Sequence, residues 1–223
     1  MSDEVVEKVE PEQVETNNNT TAETSGGGLF GFLTCCGNSS ARKDGNGFNL
    51  FGGSNEKKKS VLVVGTSGSG KSRILHLISR EDSCLEEAHV YTRTEGTNVV
   101  QVSFPPISFS FIEVGGSLSD FWSRSLNNGC DAVWYLMTRV EFESGNYDQL
   151  LKFLESSKDT IKKKQLLVSV LDIGDAVSTS DLEIQLNALG FLDPNKFEIN
   201  KISASISRTG IVPSVEFLKT KLI

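Results

Sequence analysis

A glycine-rich turn between an apolar run and a helical run constrains this chain more than any other feature. The turn G-T-S-G-S-G-K-S (65–72) satisfies the pattern G-x-x-x-x-G-K-[ST] in full. The apolar run S-V-L-V-V-G (60–65) leads into it, as expected for a strand buried on both faces. The run K-S-R-I-L-H-L-I-S (71–79) follows with its apolar residues on one helical face. This strand–turn–helix context predicts a phosphate-binding loop.

The residue types of the turn suit the phosphates of a nucleotide. Its glycines allow the backbone to wrap an anion with N–H groups turned inward, and the positive end of the helix faces the same point. Lys71 is expected to reach the β- and γ-phosphates, and the Ser72 hydroxyl to ligate Mg²⁺. The predicted nucleotide contacts of this segment are Gly65, Thr66, Ser67, Gly68, Ser69, Gly70, Lys71, Ser72 and Arg73.

Further strand-like and helical runs alternate along the rest of the chain. The strand-like runs are 98–104, 107–114, 131–137, 165–171 and 196–203, the first two joined by a turn at Pro105-Pro106. The helical patterns are 147–154, 178–190 and 213–222. This alternation predicts an α/β fold with a mostly parallel six-stranded sheet and helices on both faces. A ligand is expected at the carboxyl ends of the strands.

Composition divides the chain into an arm (1–58) and a folded domain (59–223). The first 26 residues hold seven acidic side chains against Lys8 alone, so about six of the seven net negative charges lie there. The rest of the arm is rich in Gly, Asn and Ser, which predicts disorder. The nearly neutral domain argues against a nucleic-acid binder. Four cysteines and no secretory or membrane-spanning run lead us to expect a cytoplasmic monomer with reduced thiols.

Two segments after the phosphate loop resemble the switch regions of the Arf-like branch of small GTPases. The first switch segment is T-R-T-E-G-T-N-V (92–99), where the family reads roughly P-T-x-G-x-N-V. The second is F-I-E-V-G-G-S-L-S-D-F-W (111–122), where the family reads W-D-x-G-G-Q followed by L-W. The resemblance extends from Ser60 to the C-terminus. It implies the small-GTPase fold and binding of GTP or GDP with Mg²⁺.

The resemblance also implies roles for individual residues of these segments. Thr94 would ligate Mg²⁺ and close the first switch on the γ-phosphate. Glu113 stands where an aspartate normally holds a magnesium-bound water, so the implied metal residues are Ser72, Thr94 and Glu113. The Gly116 N–H would bond the γ-phosphate. Trp122 is expected to pack beneath the second switch rather than stack on a base.

Two further segments would read the base in this family. D-I-G-D (172–175) aligns with N-K-x-D, placing Asp172 for Asn and Ile173 for Lys while keeping Asp175. Asp175 would accept two hydrogen bonds from guanine, which adenine cannot supply. The alternative for this stretch is a plain acidic turn. S-A-S, which comprises Ser203, Ala204 and Ser205, matches the segment whose alanine N–H meets guanine O6.

The sequence lacks a side chain that orients water for GTP hydrolysis in this family. Ser117 occupies the position of the glutamine that orients the attacking water, and it is too short to replace it. We therefore expect at most slow GTP hydrolysis without a partner. Two other functions stay open at this stage: a pseudo-GTPase scaffold that binds nucleotide weakly or not at all, and an ATP-using phosphate-loop enzyme.

The arm offers a candidate membrane contact over residues 28–59. The stretch G-L-F-G-F-L-T-C-C-G (28–37) carries apolar side chains, with Cys35 and Cys36 as candidate lipidation sites. Basic residues that follow could add attraction to anionic lipid. The alternative is a disordered linker. The expected partners are therefore effector and regulatory proteins and, through this segment, the periphery of an internal membrane.

Overall fold

Six strands form one sheet in the order β2-β3-β1-β4-β5-β6. The computed structural model describes residues 56–79, 91–174, 176–203 and 209–223. The strands are β1 (Lys57–Val64), β2 (Thr97–Phe104), β3 (Ile107–Val114), β4 (Ala132–Met137), β5 (Gln165–Leu171) and β6 (Phe197–Ile202). The β2–β3 pair is antiparallel and the other neighbouring pairs are parallel. The predicted α/β fold with a mostly parallel six-stranded sheet is therefore confirmed.

Helices lie on both faces of this sheet. They are α1 (Lys71–Ser79), α2 (Ser119–Asn127), α3 (Arg139–Glu143), α4 (Asp148–Ser156), α5 (Lys158–Ile161), α6 (Ser180–Ala188) and α7 (Ile211–Leu222), with a 3₁₀ turn at Gly116–Leu118. Buried side chains of α1 and α7 share one core cluster, and those of α2 to α6 share the other.

The two core clusters follow from the alternation of side chains along each strand. In β4, Val133, Tyr135 and Met137 face the α2–α6 cluster. Trp134 and Leu136 of the same strand face the α1–α7 cluster. All six β4 residues are buried, because the strand is covered on both faces. The central strands therefore hold their carboxyl ends rigidly at one edge of the sheet.

The elements differ from the sequence-based predictions mainly at their ends and in the short helices. β1 begins at Lys57, before the predicted start at Ser60. The sequence patterns did not indicate α2, α3 or α5 as helices. α6 ends at Ala188, and Gly190 beyond it has a φ of +67°, which suits the predicted stop. Among the described residues, no helix has both the length and the apolar content needed to cross a membrane.

Candidate functional site

A cavity of about 500 Å³ lies where the phosphate loop and the two switch segments meet. It opens at the carboxyl ends of β1 and β3, whose parallel register pairs Val63 with Glu113. The residues that line it are Ser67, Gly68, Gly70, Lys71, Ser72, Arg73, Tyr91, Thr92, Arg93, Thr94, Glu113 and Gly116. The structure thus brings the predicted phosphate-loop and switch residues into one site.

The phosphate loop passes close to the end of β4. A Cβ added to Gly65 would lie 2.1 Å from the Leu136 carbonyl oxygen, so no other residue fits there. The Gly65 φ of +144° also disfavours a side chain. Ser69, on the same loop, is completely buried. The loop is therefore fixed against the sheet rather than free in solvent.

Lys71 lies across the inside of this loop. Its ammonium donates hydrogen bonds to the carbonyl oxygens of Gly65 and Thr66, both at 2.8 Å, and to Ser69 Oγ at 3.2 Å. The residue is only 5% exposed. Burial lowers the pKa of Lys71 to about 8, against the opposing effect of the carboxylates of Glu113 and Glu141. The structure holds this cation inside the cavity that the loop borders.

Three oxygen-bearing side chains converge beside Lys71. The hydroxyls of Ser72 and Thr94 lie 3.0 Å apart. Both donate to Glu113 Oε1, Ser72 at 2.5 Å and Thr94 at 3.1 Å. Ser72 belongs to α1, Thr94 to the first switch segment and Glu113 to the second. The three residues predicted as metal ligands are thus neighbours in space, although they are up to 41 positions apart in the chain.

Two adjacent glycines join the second switch segment to its surroundings. The Gly115 N–H donates to the Gly96 carbonyl at 2.9 Å. A Cβ on Gly115 would lie 2.3 Å from the Thr94 carbonyl oxygen, and one on Gly116 would lie 2.2 Å from the Ser67 nitrogen. Gly116 therefore lies directly against the phosphate loop, on the cavity side where the predicted γ-phosphate contact would be made.

The residues that follow these glycines differ in exposure. Ser117 lies exposed on the 3₁₀ turn, and its side chain is not part of the lining of the cavity. Trp122 is completely buried, packs edge-on against Tyr135 and Phe153, and donates from Nε1 to the Gly115 carbonyl at 3.4 Å. The expected packing role of Trp122 is confirmed.

Sequence reasoning gave no role to two side chains that hold this site, Glu141 and Asn98. Glu141 Oε2 accepts from the Thr66 hydroxyl at 2.9 Å, and it also closes a capping box with Thr138 at the start of α3. The spacing T-x-x-E (138–141) was the available signal. Asn98 Nδ2 approaches Glu113 Oε2 at 3.4 Å, across the β2–β3 register that pairs the two residues.

The segment predicted to read the base is held by backbone and side-chain contacts. Asp172 has a φ of +52°, and its N–H donates to the Ile202 carbonyl at 2.9 Å. Ser203 Oγ donates to Asp172 Oδ1 at 3.0 Å, which joins the two predicted base-reading segments. Lys201 Nζ donates to the Gly174 carbonyl at 3.3 Å. The structure therefore brings Asp172 and Ser203 together.

Ile173, which aligns with the lysine of the family motif, is directed mainly into the core. It is only 8% exposed and belongs to the α2–α6 core cluster. An apolar side chain gains more from burial there than from a solvent-facing position over a ligand. The remaining predicted residues of this region, Asp175, Ala204 and Ser205, lie outside the described residues.

The sheet order and the phosphate loop define a class of protein, the phosphate-loop α/β proteins of the small-GTPase fold. One solved structure with this fold is that of the Arl6 BBS3 small GTPase from Trypanosoma brucei with a bound nucleotide analogue, GppNp. The two superpose with a TM-score of 0.58 and 18% identity, over 74% of this chain and 97% of that one.

Comparison with protein families and with related proteins identifies the family of this chain. The model of the ADP-ribosylation factor family, Arf, matches residues 48–222, and this chain belongs to that family. ADP-ribosylation factor J of Dictyostelium discoideum is 25% identical over 83% of this chain and 95% of its own length. ADP-ribosylation factor-like protein 9 of Homo sapiens is 30% identical over 76 residues, which are 33% of this chain and 38% of that protein.

Proposed function

We propose that this chain is a guanine-nucleotide-binding switch that presents different conformations of its switch segments to effector and regulatory proteins. The observation that carries the proposal is the convergence of Ser72, Thr94 and Glu113 beside the phosphate loop. These three side chains couple both switch segments to the place where the phosphates of a nucleotide would bind. A ligand at that place can therefore change the position of both switch segments at once.

The donor set also fits Mg²⁺, the ion that the family implies. Two hydroxyls and one carboxylate are hard oxygen ligands, which this ion prefers. Ser72 and Thr94 would bind it together with the phosphates, and Lys71 would contact the β- and γ-phosphates. When bound, the ion supplies positive charge that offsets the negative charge of the phosphates.

Selection of guanine would rest on Asp175, with support from the Asp172–Ser203 contact. A carboxylate that accepts two bonds from guanine would contribute about 1.5–3 kcal/mol for each bond. The core position of Ile173 favours a second candidate function, a scaffold with weak nucleotide affinity. The side chain at this position of the family motif contacts the base, whereas Ile173 packs in the core.

Thermal unfolding of the full-length chain tests the proposal. With Mg²⁺ and GTP or GDP at one hundred times the Kd, the nucleotide should add about 2.7 kcal/mol to the free energy of unfolding. ATP should have little effect, and Lys71→Ala should remove the guanine-nucleotide effect. A shift with ATP alone would indicate an ATP-using enzyme. No shift in a preparation free of co-purified nucleotide would indicate the scaffold.

Hydrolysis by this switch is proposed to be slow without a partner. The exposed Ser117 cannot replace the side chain that orients water in the family. Arg93 and Arg73 line the cavity as exposed cations. Single-turnover release of phosphate from loaded protein measures the rate, and rapid release by the protein alone would refute this part of the proposal.

The subtype and the cellular site are further parts of the proposal. The combination of R-T-x-G-T-N with E-x-G-G and no glutamine resembles ADP-ribosylation factor-like protein sixteen, and it suggests a role in membrane traffic. Membrane contact would use residues 28–59, of which 28–55 lie outside the described residues. The lysines at 57–59 are part of β1, where Lys59 pairs with Asp131 at 3.2 Å. Unchanged membrane association of Cys35→Ser/Cys36→Ser would argue against lipid anchoring at these sites.

A further inference from the structure

The chain at the start of the first switch segment lies along α1. Tyr91, the residue directly before this segment, places its hydroxyl 2.7 Å from His76 Nδ1 on α1. Its ring meets the imidazole edge-on, with ring centroids 5.9 Å apart and an interplanar angle of 70°. Thr94 places its hydroxyl oxygen 3.0 Å from Ser72 Oγ on the same helix. Ser72 and His76 are four positions apart, so they lie on one face of α1. This face therefore holds the chain at two points.

The two points of contact differ in their distance from the phosphate loop. Ser72 lies in the first turn of α1 and, like Thr94, borders the cavity. His76 lies about 6 Å farther along the helix axis, and it is not among the described residues that line the cavity. A nucleotide that enters or leaves changes the surroundings of Ser72 and Thr94. The contact of His76 with Tyr91, in contrast, needs no ligand.

Tyr91 links this contact to the cavity. The residue is half-buried, and together with Thr92 and Arg93 it forms the cavity wall on the side of the first switch segment. A tyrosyl hydroxyl can donate or accept a hydrogen bond, so either tautomer of a neutral imidazole can bond to it. A side chain held both at its backbone and at its hydroxyl has little freedom to turn away. Loss of the bond should let this part of the wall move and open the cavity to solvent.

We infer that His76 is a positioning residue: through Tyr91 it holds the start of the first switch segment on α1 and so slows the release of bound nucleotide. The inference rests on the proposed nucleotide-binding function and adds to it a residue outside the cavity. It also sets where the switch movement begins. Tyr91 stays on α1 in both the loaded and the empty protein, and the part that responds to the ligand begins at Thr92.

Release of a fluorescent GDP analogue from the full-length chain tests this role. The protein is loaded with the analogue and Mg²⁺, and the fluorescence is followed after excess unlabelled GDP is added. Tyr91→Phe and His76→Leu each remove one partner of the bond and keep an apolar side chain of similar size. Each should release the analogue about fivefold faster than wild type, as expected for the loss of one neutral hydrogen bond. His76→Asn, whose amide can take the place of Nδ1, should restore slow release.

A variant that lacks both partners separates positioning from general loosening of the fold. If the two side chains act through one bond, Tyr91→Phe/His76→Leu should release the analogue no faster than either single variant. Ser79→Ala is the matched control on α1, because its hydroxyl bonds to the His76 carbonyl of its own helix at 3.1 Å, and it should release like wild type. Multiplied effects in the double variant, unchanged release in the single variants, or fast release from His76→Asn would overturn the inference.

The contact itself can be measured without nucleotide. In protein labelled with ¹⁵N at histidine, Tyr91→Phe should shift the Nδ1 resonance of His76. The spectrum of His76→Leu identifies this resonance, since His89 is the other histidine of the chain. An unchanged resonance overturns the contact and with it the inference. Failure of wild type to bind GDP, with the resonance shifted as expected, would overturn the proposed function while the contact stands, so the two failures are distinct.

Discussion

Lys71 carries a positive charge in a place that water hardly reaches. Its three hydrogen bonds to the phosphate loop compensate part of the lost hydration. Burial still dominates and lowers the pKa to about 8, while the carboxylates of Glu113 and Glu141 oppose the change. A lysine with this pKa is mostly charged at neutral pH and loses its proton more readily than an exposed one. Its charge therefore lowers the stability of the protein without nucleotide.

The pH dependence of unfolding should show this cost. Between pH 8 and 10.5 the unfolded chain keeps the Lys71 proton and the folded chain has lost it, so stability rises with pH. Relative to Lys71→Met, nucleotide-free wild type should gain about 2 kcal/mol between pH 7 and pH 9.5. Denaturant unfolding of both proteins at several pH values measures the difference. Parallel curves would contradict the lowered pKa.

Single residues also show where sequence reasoning reached its limit. The motif predicted Lys71 and Ser72 because their spacing along one turn and one helix is local. Glu141 and Asn98 act on residues 75 and 15 positions away, through contacts that exist only after the sheet has formed. The spacing T-x-x-E indicates only the capping box of α3, and no short spacing in the sequence encodes the contacts with Thr66 and Glu113. For Ile173, the alignment gives the position in the motif but not the direction of the side chain, which is buried in the core.

At the scale of elements, the two switch segments are joined by backbone contacts as well as by the side-chain bonds to Glu113. The Gly115 N–H bonds to the Gly96 carbonyl, and Gly115 leaves no room for a Cβ beside the Thr94 carbonyl oxygen. The first switch segment thus follows the second when either one moves. A substitution at the contact of Gly115 with Gly96 and Thr94 should therefore disturb both switch segments together.

Substitution of Gly115 or Gly96 by alanine tests how tightly Gly115 packs against the first switch segment. Gly115→Ala should cost about 1–3 kcal/mol, because its Cβ would lie 2.3 Å from a backbone oxygen that must move. Gly96→Ala is the matched control, since nothing lies within 4 Å of its Cβ, and it should change stability by less than about 0.5 kcal/mol. Urea unfolding followed by the fluorescence of the two buried tryptophans, Trp122 and Trp134, measures both effects. An equal loss of free energy of unfolding in the two variants would contradict close packing of Gly115 against the first switch segment.

The elements that sequence patterns missed are the short ones. α3 has five residues and α5 has four, too few for a helical period of apolar residues to repeat. The strands were predictable because β4, β5 and the second half of β1 (61–64) are nearly continuous apolar runs, as strand segments covered on both faces must be. The α2 stretch S-D-F-W-S-R-S-L-N has only two buried residues, Trp122 and Leu126, so its helical pattern of apolar residues is weak. The start of this stretch also belongs to the second switch segment, which was identified by its motif and not by a helical pattern.

At the scale of the whole described fold, a chain of buried and half-buried polar side chains crosses the sheet from the centre to α7. Trp134 Nε1 on β4 donates to Ser169 Oγ on β5 at 2.8 Å, and Ser169 donates to Asn200 Oδ1 on β6. Asn200 Nδ2 then donates to Ser214 Oγ at 2.6 Å, and Ser214 donates to the Gly210 carbonyl at 2.7 Å. This chain fixes the start of α7 relative to three strands.

Removal of the central hydroxyl should weaken the whole fold. Ser169→Ala leaves the buried Trp134 N–H and the Asn200 carbonyl oxygen without this partner, at a cost of about 1–3 kcal/mol. Ser110→Ala is the matched control. It removes a half-buried strand hydroxyl that makes no hydrogen bond within the described part of the chain, so it should change stability by less than about 0.5 kcal/mol.

Hydrogen exchange of Ser169→Ala and Ser110→Ala shows which elements of the fold lose stability. If the polar chain couples the sheet to α7, Ser169→Ala should lower protection both in β5 and in the first turn of α7, to which the Ser169 hydroxyl is linked by hydrogen bonds through Asn200. A loss confined to β5 would show that the bonds act separately. Gly210, the N-cap of α7, lies five positions after Ser205 of the segment predicted to meet the base. If the polar chain couples the sheet to α7, nucleotide release should therefore be faster from Ser169→Ala than from wild type.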